Sequence, residues 1–323
     1  MNKILIQAFR IFVFYLLFAL GAQAQENWPD KPVKFIVSSS AGGGTDLYAR
    51  MLAQSLSELF KQQFIVDNRP GASGNIGASA AAKSPADGYT FLVSANTSLT
   101  INGALYKNLS YDAEKDFTPI ARALGPLVIV VHPQSKIKTL QDLIELGKRE
   151  PNKLSFGSAG TGSTTYLGVR MLEEKTGAKF LHVPYKGVAP AYQDLLAGQI
   201  QFMMPDVASS LQLIKSGKVI PIVSEYKTAL IPGLPSMAEA GHPEVNTNSS
   251  FSLVAPSSTP NAIVEKMHKE LMLITKSAAF ASKLESQGLI AETETLSGLF
   301  LSMKKERDNY ASFIKRNAIV PSD

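Results

Sequence analysis

The stretch Val33-Lys34-Phe35-Ile36-Val37-Ser38-Ser39-Ser40-Ala41-Gly42-Gly43-Gly44-Thr45-Asp46-Leu47 passes from a short apolar run through three consecutive glycines into residues that open a helix. Beyond it Leu47, Met51, Leu52, Leu56, Leu59 and Phe60 recur at helical spacing up to Phe60, so the unit is strand, glycine turn, helix. The same order repeats along the chain. Strand-like runs at Phe64 to Asp67, Tyr89 to Ser94 and Leu127 to Val131 are interleaved with helical patterns at Asn75 to Ala82 and from Thr139. A tighter series follows: Leu154 to Gly157 into a helix from Ser163, Phe180 to Val183 into a helix carrying Val188, Tyr192, Leu195 and Leu196, then Ile200 to Met204, a helix Val207 to Ser216, and Val219 to Val223. Strands alternating with helices of this length predict an α/β fold with mostly parallel sheets covered on both faces. Leu296, Leu299, Phe300, Met303, Tyr310 and Ile314 mark an amphipathic helix that closes the chain.

At 323 residues the chain is long enough for about two domains of ~150 residues. Ala123-Leu124-Gly125-Pro126 and Pro243-Glu244-Val245-Asn246 interrupt the alternation and lack periodic apolar residues. Read as crossings, they give one domain from 25–124 plus 247–323 and a second from 125–246, with a cleft spanned by a hinge. The first 24 residues read as a cleaved secretory signal: Lys3 and Arg10, the apolar run Ile11 to Leu20, and Ala22-Gln23-Ala24 before Gln25. Ten apolar residues cover only ~15 Å of a ~30 Å hydrocarbon core, which disfavours a membrane anchor. Cleavage after Ala24 predicts a mature protein outside the cytoplasm, and loss of Lys3 and Arg10 takes the net charge from +5 to +3.

The composition excludes several chemistries. There is no cysteine, hence no disulfide, thiolate nucleophile or iron–sulfur cluster. His132, His182, His242 and His268 are at least 26 residues apart, so no local metal pair is present and no metal or cofactor is expected. The mild, scattered basic surplus lacks the footprint of a nucleic-acid binder. G-x-G-x-x-G, the P-loop and G-x-S-x-G are absent, and each histidine is expected to be structural or exposed, with no serine and acid partners nearby in sequence. Trp28, beside Pro29, is expected to pack on the surface, and Met203-Met204 to fill core.

Two glycine turns stand at the carboxyl ends of strands, where following helix N-termini aim free N–H groups at a ligand. In the first, Ser39, Ser40, Ala41, Gly43, Gly44, Thr45 and Asp46 are candidate ligand residues, with Thr45 as helix cap; Asp46 has two readings, dipole compensation or a ligand-facing acceptor. The second, Ser158, Ala159, Gly160, Thr161, Gly162, Ser163 and Thr164, has no acid as far as Leu172 and is the predicted dock for a ligand carboxylate. Asp206, between a strand and a helix, reads as an N-cap or a cleft acceptor, capping being the simpler role.

A run of motifs then carries a family resemblance: Trp28-Pro29-Asp30-Lys31-Pro32-Val33, Gly42-Gly43-Gly44-Thr45-Asp46, Asp67-Asn68-Arg69-Pro70-Gly71-Ala72, Gly74-Asn75-Ile76-Gly77, Asp87-Gly88-Tyr89-Thr90, His132-Pro133, Val183-Pro184-Tyr185-Lys186-Gly187 and Asp194-Leu195-Leu196-Ala197-Gly198-Gln199. In this order they resemble the substrate-binding receptors of tripartite tricarboxylate transporters, the Bug-type proteins, over essentially the whole mature chain. The resemblance implies a two-domain periplasmic Venus flytrap; a monomer is the default expectation. Such a receptor closes on a small organic acid, often through waters and backbone amides, and delivers it to small and large integral membrane subunits. A receptor reporting to a membrane sensor kinase, and a secreted hydrolase, are the alternatives. The chain departs from the family at Ser38-Ser39-Ser40-Ala41, where proline and phenylalanine are usual, at Asn96-Thr97-Ser98-Leu99-Thr100, and at Pro205-Asp206-Val207. The resemblance places Asn96, Thr97 and Ser98 at the cleft, and the added hydroxyls there favour a more polar ligand.

Overall fold

The computed structural model describes residues 28–247 and 249–321; the signal segment read at 1–24 lies outside the described residues. Two sheets organise the chain. In the first, strands β1 (Val33–Val37), β2 (Phe64–Asn68), β3 (Thr90–Ala95), β4 (Phe117–Leu124), β10 (Ser250–Pro256) and β11 (Ile290–Ala291) lie in the order β11-β4-β10-β3-β1-β2. In the second, β5 (Val128–Val131), β6 (Ser155–Ser158), β7 (Leu181–Pro184), β8 (Phe202–Met203) and β9 (Ile220–Ser224) lie in the order β7-β6-β8-β5-β9.

The β1 pairings with β2 and β3, and those of β6 with β7 and β8, are parallel. Strands β10 and β5 instead run antiparallel to both neighbours. The connectivity explains this. β4 ends where the chain leaves the first sheet, so β5 must enter the second from the end at which its parallel strands finish, and β10 returns in the same way. The crossing segments lie side by side, the Gly125 N–H donating to the Ser249 carbonyl at 2.8 Å.

Alternation along the strands sets the layers. Val33, Phe35 and Val37 face one side of the first sheet with α1 (Gly44–Phe60) and α8 (Asn261–Lys276), while Ile36 faces α2 (Asn75–Ala82). In the second sheet Ile129 and Val131 join Phe156 and Phe202 on one face, and Val128 and Val130 join Tyr192 of α6 (Val188–Leu196) on the other. Met203 and Met204 are fully buried, as core filler should be.

Strands β4, β10 and β11 and helices α8 and α9 (Ala278–Ser286) fall outside the alternation read from the sequence. Strand β4 carries Pro119 and Arg122, and β10 is buried at all seven positions, so neither shows a period-2 pattern of polarity. Trp28 also departs from expectation. Its indole is buried, donates to the Gly88 carbonyl at 3.0 Å and meets Phe60 and Phe91 edge-on, so it is part of the first core and not a surface residue.

The last helix, α10 (Leu296–Arg316), belongs to both halves. Met303 packs with Ile36 and Leu92 of the first sheet, whereas Tyr310, Phe313 and Ile314 are built into the core of the second.

Candidate ligand-binding cleft

The turns β1 to α1 and β2 to α2 of the first lobe, with Leu105 just after the π-turn Thr97–Ile101, meet two turns of the second: β6 to α5 (Thr164–Thr176) and β8 to α7 (Val207–Lys215). The lobes are closed on each other. A Cβ added to Gly162 would lie 2.1 Å from Leu105, and one on Gly44 would meet the Phe251 ring at 2.6 Å and Asp206 Oδ1 at 3.1 Å. Gly160 faces Ser73 across the same gap.

The first cradle is set by Asp46. Helix α1 starts at Gly44, with Gly43 as an N-cap that has no side-chain acceptor, so Thr45 lies inside the first turn and does not cap it. The Asp46 carboxylate folds back on its own loop: Oδ2 accepts from the Gly42 N–H and Arg50 Nε, each at 2.9 Å, and Oδ1 from Asn68 Nδ2 at 2.9 Å. Burial pushes this carboxyl up, but the bonds from Arg50, Gly42 and Asn68 outweigh it and hold it below the ordinary range. Asp46 is therefore spent on holding the turn. The N–H groups of Gly43, Gly44 and Thr45 find no acceptor among the described residues. Ser39 is half-buried beside them, and Ser40 and Ala41 are exposed at the rim.

Behind this turn a hydroxyl ladder runs from Ser38 to Ser94 at 2.6 Å and from Ser94 to Ser98 at 2.5 Å. Ser98 thus points into the lobe, as does Asn96, whose Nδ2 donates to Glu306 at 2.7 Å; Thr97 stands half-buried between them.

The second cradle wraps its own hydroxyls first. The Ala159 N–H donates to Thr165 Oγ1 at 2.9 Å, the Gly160 N–H to Ser158 Oγ at 3.1 Å, and Ser163, the N-cap of α5, accepts from the Tyr166 N–H and donates to the Gly160 carbonyl. Thr161 is engaged as well. The donors left at the mouth of α5 are the N–H groups of Gly162, Thr164 and Thr165, which find no acceptor among the described residues. Asp206 takes up the capping role: Oδ1 accepts from the Ser209 N–H at 2.8 Å at the start of α7, and the same oxygen faces Gly44.

One partnership was hidden in the sequence. His182 Nε2 lies 2.7 Å from Ser158 Oγ, 24 positions away, because β6 and β7 pair in register. The ring is stacked on Phe156 and close to Tyr166, and burial, then the Arg170 charge, push it down to about 4. It is neutral at ordinary pH and locks the Ser158 hydroxyl under the turn. Phe251 and Leu105 were equally illegible, since each reaches the cleft from an element with no motif of its own, and Ser73 fell in the one-residue gap between two quoted motifs. Phe251 of β10 stands against Gly44, on the side where the family-like aromatic is missing from Ser38 to Ala41.

Two α/β lobes closed over facing helix N-termini, with no free cation presented by either turn among the described residues, define a solute-binding protein. The chain belongs to the family of tripartite tricarboxylate transporter receptors: the family profile described as "Tripartite tricarboxylate transporter family receptor" matches residues 48–295. Among relatives, BugT of Bordetella pertussis is 33% identical over 267 residues, 81% of this chain and 82% of BugT. Among solved structures, R. palustris Rpa4515 with adipate is 32% identical with a TM-score of 0.87, covering 91% of this chain and 100% of that one. MatC (Rpa3494) from Rhodopseudomonas palustris, with bound malate, is 25% identical with a TM-score of 0.80, covering 89% and 100%.

Two outcomes follow. Gly162 has φ +84° and no room for a Cβ in the closed form, so Gly162→Ala should bind its ligand roughly tenfold more weakly by calorimetry while the ligand-free protein still melts cooperatively; unchanged affinity would show that closure does not press this turn on Leu105. The His182 value is depressed from 6.5 to about 4, so as pH falls from ~6.5 towards ~4 the unfolded chain takes up a proton that the native state refuses, and stability is lost over that window. Thermal melts of His182→Gln should lack this part of the acid slope.

Proposed function

We propose that the protein is a periplasmic receptor that captures a small organic acid between its lobes and hands it unchanged to the membrane subunits of a tripartite tricarboxylate transporter. The observation that carries this reading is the pair of helix N-termini, at Gly43 to Thr45 and Gly162 to Thr165, that face the cleft with unspent N–H groups. The relatives bound to adipate and malate support a carboxylate as the ligand class. The second cradle takes one carboxylate. The first, with Asp206 beside Gly44, takes a less charged end of the ligand through backbone N–H groups or bridging water. The lobes divide at 25–124 plus 247–323 and 125–246, behind a signal peptide at 1–24.

Charge-assisted hydrogen bonds contribute ~1.5–3 kcal/mol each, and micromolar binding needs ~8 kcal/mol net, so several amides from two cradles suffice after the cost of association. Contacts to both lobes exist only in the closed state, and that difference drives closure.

The Ser158–His182 pair raises the hydrolase reading, and its setting argues against it. The serine is fully buried and already accepts the Gly160 N–H, and burial, with the Arg170 charge beside it, disfavours the imidazolium that a general base would have to become.

A thermal-shift screen over di- and tricarboxylates, aromatic acids and amino acids tests the proposal. A cognate acid at 100 times its dissociation constant should stabilise by ~2.7 kcal/mol and be recovered intact by mass spectrometry. Stabilisation by none of these classes, or a turnover product, would overturn it.

A further inference from the structure

Resting on the reading of the cleft as a solute site, we infer that Glu306 is a positioning residue that ties the ligand-side turn after β3 to the hinge between the lobes. Its carboxylate is buried on α10 and faces the first lobe. Oε1 accepts from Asn96 Nδ2 at 2.7 Å and from Thr100 Oγ1 at 3.0 Å, so one oxygen holds both ends of the first turn of the cleft segment. Oε2 accepts from Arg122 Nη1 at 3.1 Å, and the same guanidinium is shared with Glu292.

One helical turn further on, on the same face of α10, Tyr310 donates its hydroxyl proton to the Thr247 carbonyl. Thr247 lies on the return crossing. Its N–H and its hydroxyl both donate to Glu225 Oε1 at 2.7 Å, and Glu225 Oε2 accepts the N–H of Leu127, on the outward crossing, at 2.8 Å. Asn96, Glu306, Tyr310, Thr247, Glu225 and Leu127 thus form one continuous path from the cleft wall through a rigid helix to both hinge segments. Past Tyr310 the helix is anchored in the second lobe, where Arg316 Nε meets Glu174 Oε1 at 2.7 Å. The turn carrying Asn96 therefore cannot shift without pulling on the element that spans the hinge.

The absence of native cysteine makes the test direct. Glu58→Cys on α1 and Lys215→Cys on α7, both exposed, carry spin labels, and pulsed electron paramagnetic resonance reads the ratio of open to closed lobes in the ligand-free protein. Asn96→Ala and Glu225→Gln, which cut the path at its cleft end and at its crossing end, should each change that ratio by about tenfold, and the double variant should change it no further, since one break already uncouples the ends. Glu306→Gln, which turns an amide towards Arg122, should match them. Additive effects of the two end variants, or lower melting temperatures with an unchanged lobe ratio, would overturn the inference and leave Glu306 as a packing residue. If Glu306→Gln does not fold, the Asn96 and Glu225 cycle still decides. Titrating adipate and malate into the labelled wild type separates the two readings: no closure with either acid counts against the solute site, while the ligand-free cycle stands on its own.

Discussion

A helix that begins inside a closed gap exposes N–H groups that its own carbonyls cannot reach, and the rest of this structure follows from where those groups are left. Helices α1 and α5 start on opposite sides of one cleft. Each turn spends part of its donor set internally, Gly42 on Asp46 and Ala159 and Gly160 on Thr165 and Ser158, which fixes the direction of the remaining donors. Buried and unpaired, each of those costs ~1–3 kcal/mol, so a molecule that supplies acceptors to both turns at once favours the closed lobes. Among the described residues neither turn offers a free cation: Arg50 is held by Asp46 and Arg170 by Glu173. Oriented backbone dipoles, and not charged side chains, are what the two helix starts present to the gap.

The sheets make this arrangement repeatable. Parallel strands end together, so their following turns gather on one edge of each lobe. The crossings enter at that same edge, which is why β5 and β10 are antiparallel and why Gly125 can sit against Ser249. Closeness at the crossings and closeness at the cleft are one constraint seen at two places, and glycine serves it where α1 meets Phe251 and where α5 meets Leu105.

Much of this was legible because it is local. The strand, glycine turn and helix at Val33 to Phe60, the serine-capped helix after Ser163 and the Asp206 cap are each written in one contiguous run of sequence. The family motifs added the two-lobed fold. What escaped depends on pairs distant in sequence. His182 meets Ser158 only through strand register, Trp28 enters the core only when Gly88 comes to its indole, and Glu306 reaches Asn96 across 210 positions. Thr45 misled because its hydroxyl suits a cap that in fact falls two residues earlier; with Gly43 in the capping position the first turn keeps its donors for the cleft. Arg122 in the middle of β4 concealed a strand by looking like surface, whereas two carboxylates neutralise it inside.

A structure of the protein with a bound dicarboxylate tests the central claim most directly. One ligand carboxylate is expected on the N–H groups of Gly162, Thr164 and Thr165, with the other end of the molecule turned towards Gly43 and Gly44. A carboxylate gripped by a lysine or arginine side chain, or a ligand seated away from both helix starts, would contradict it.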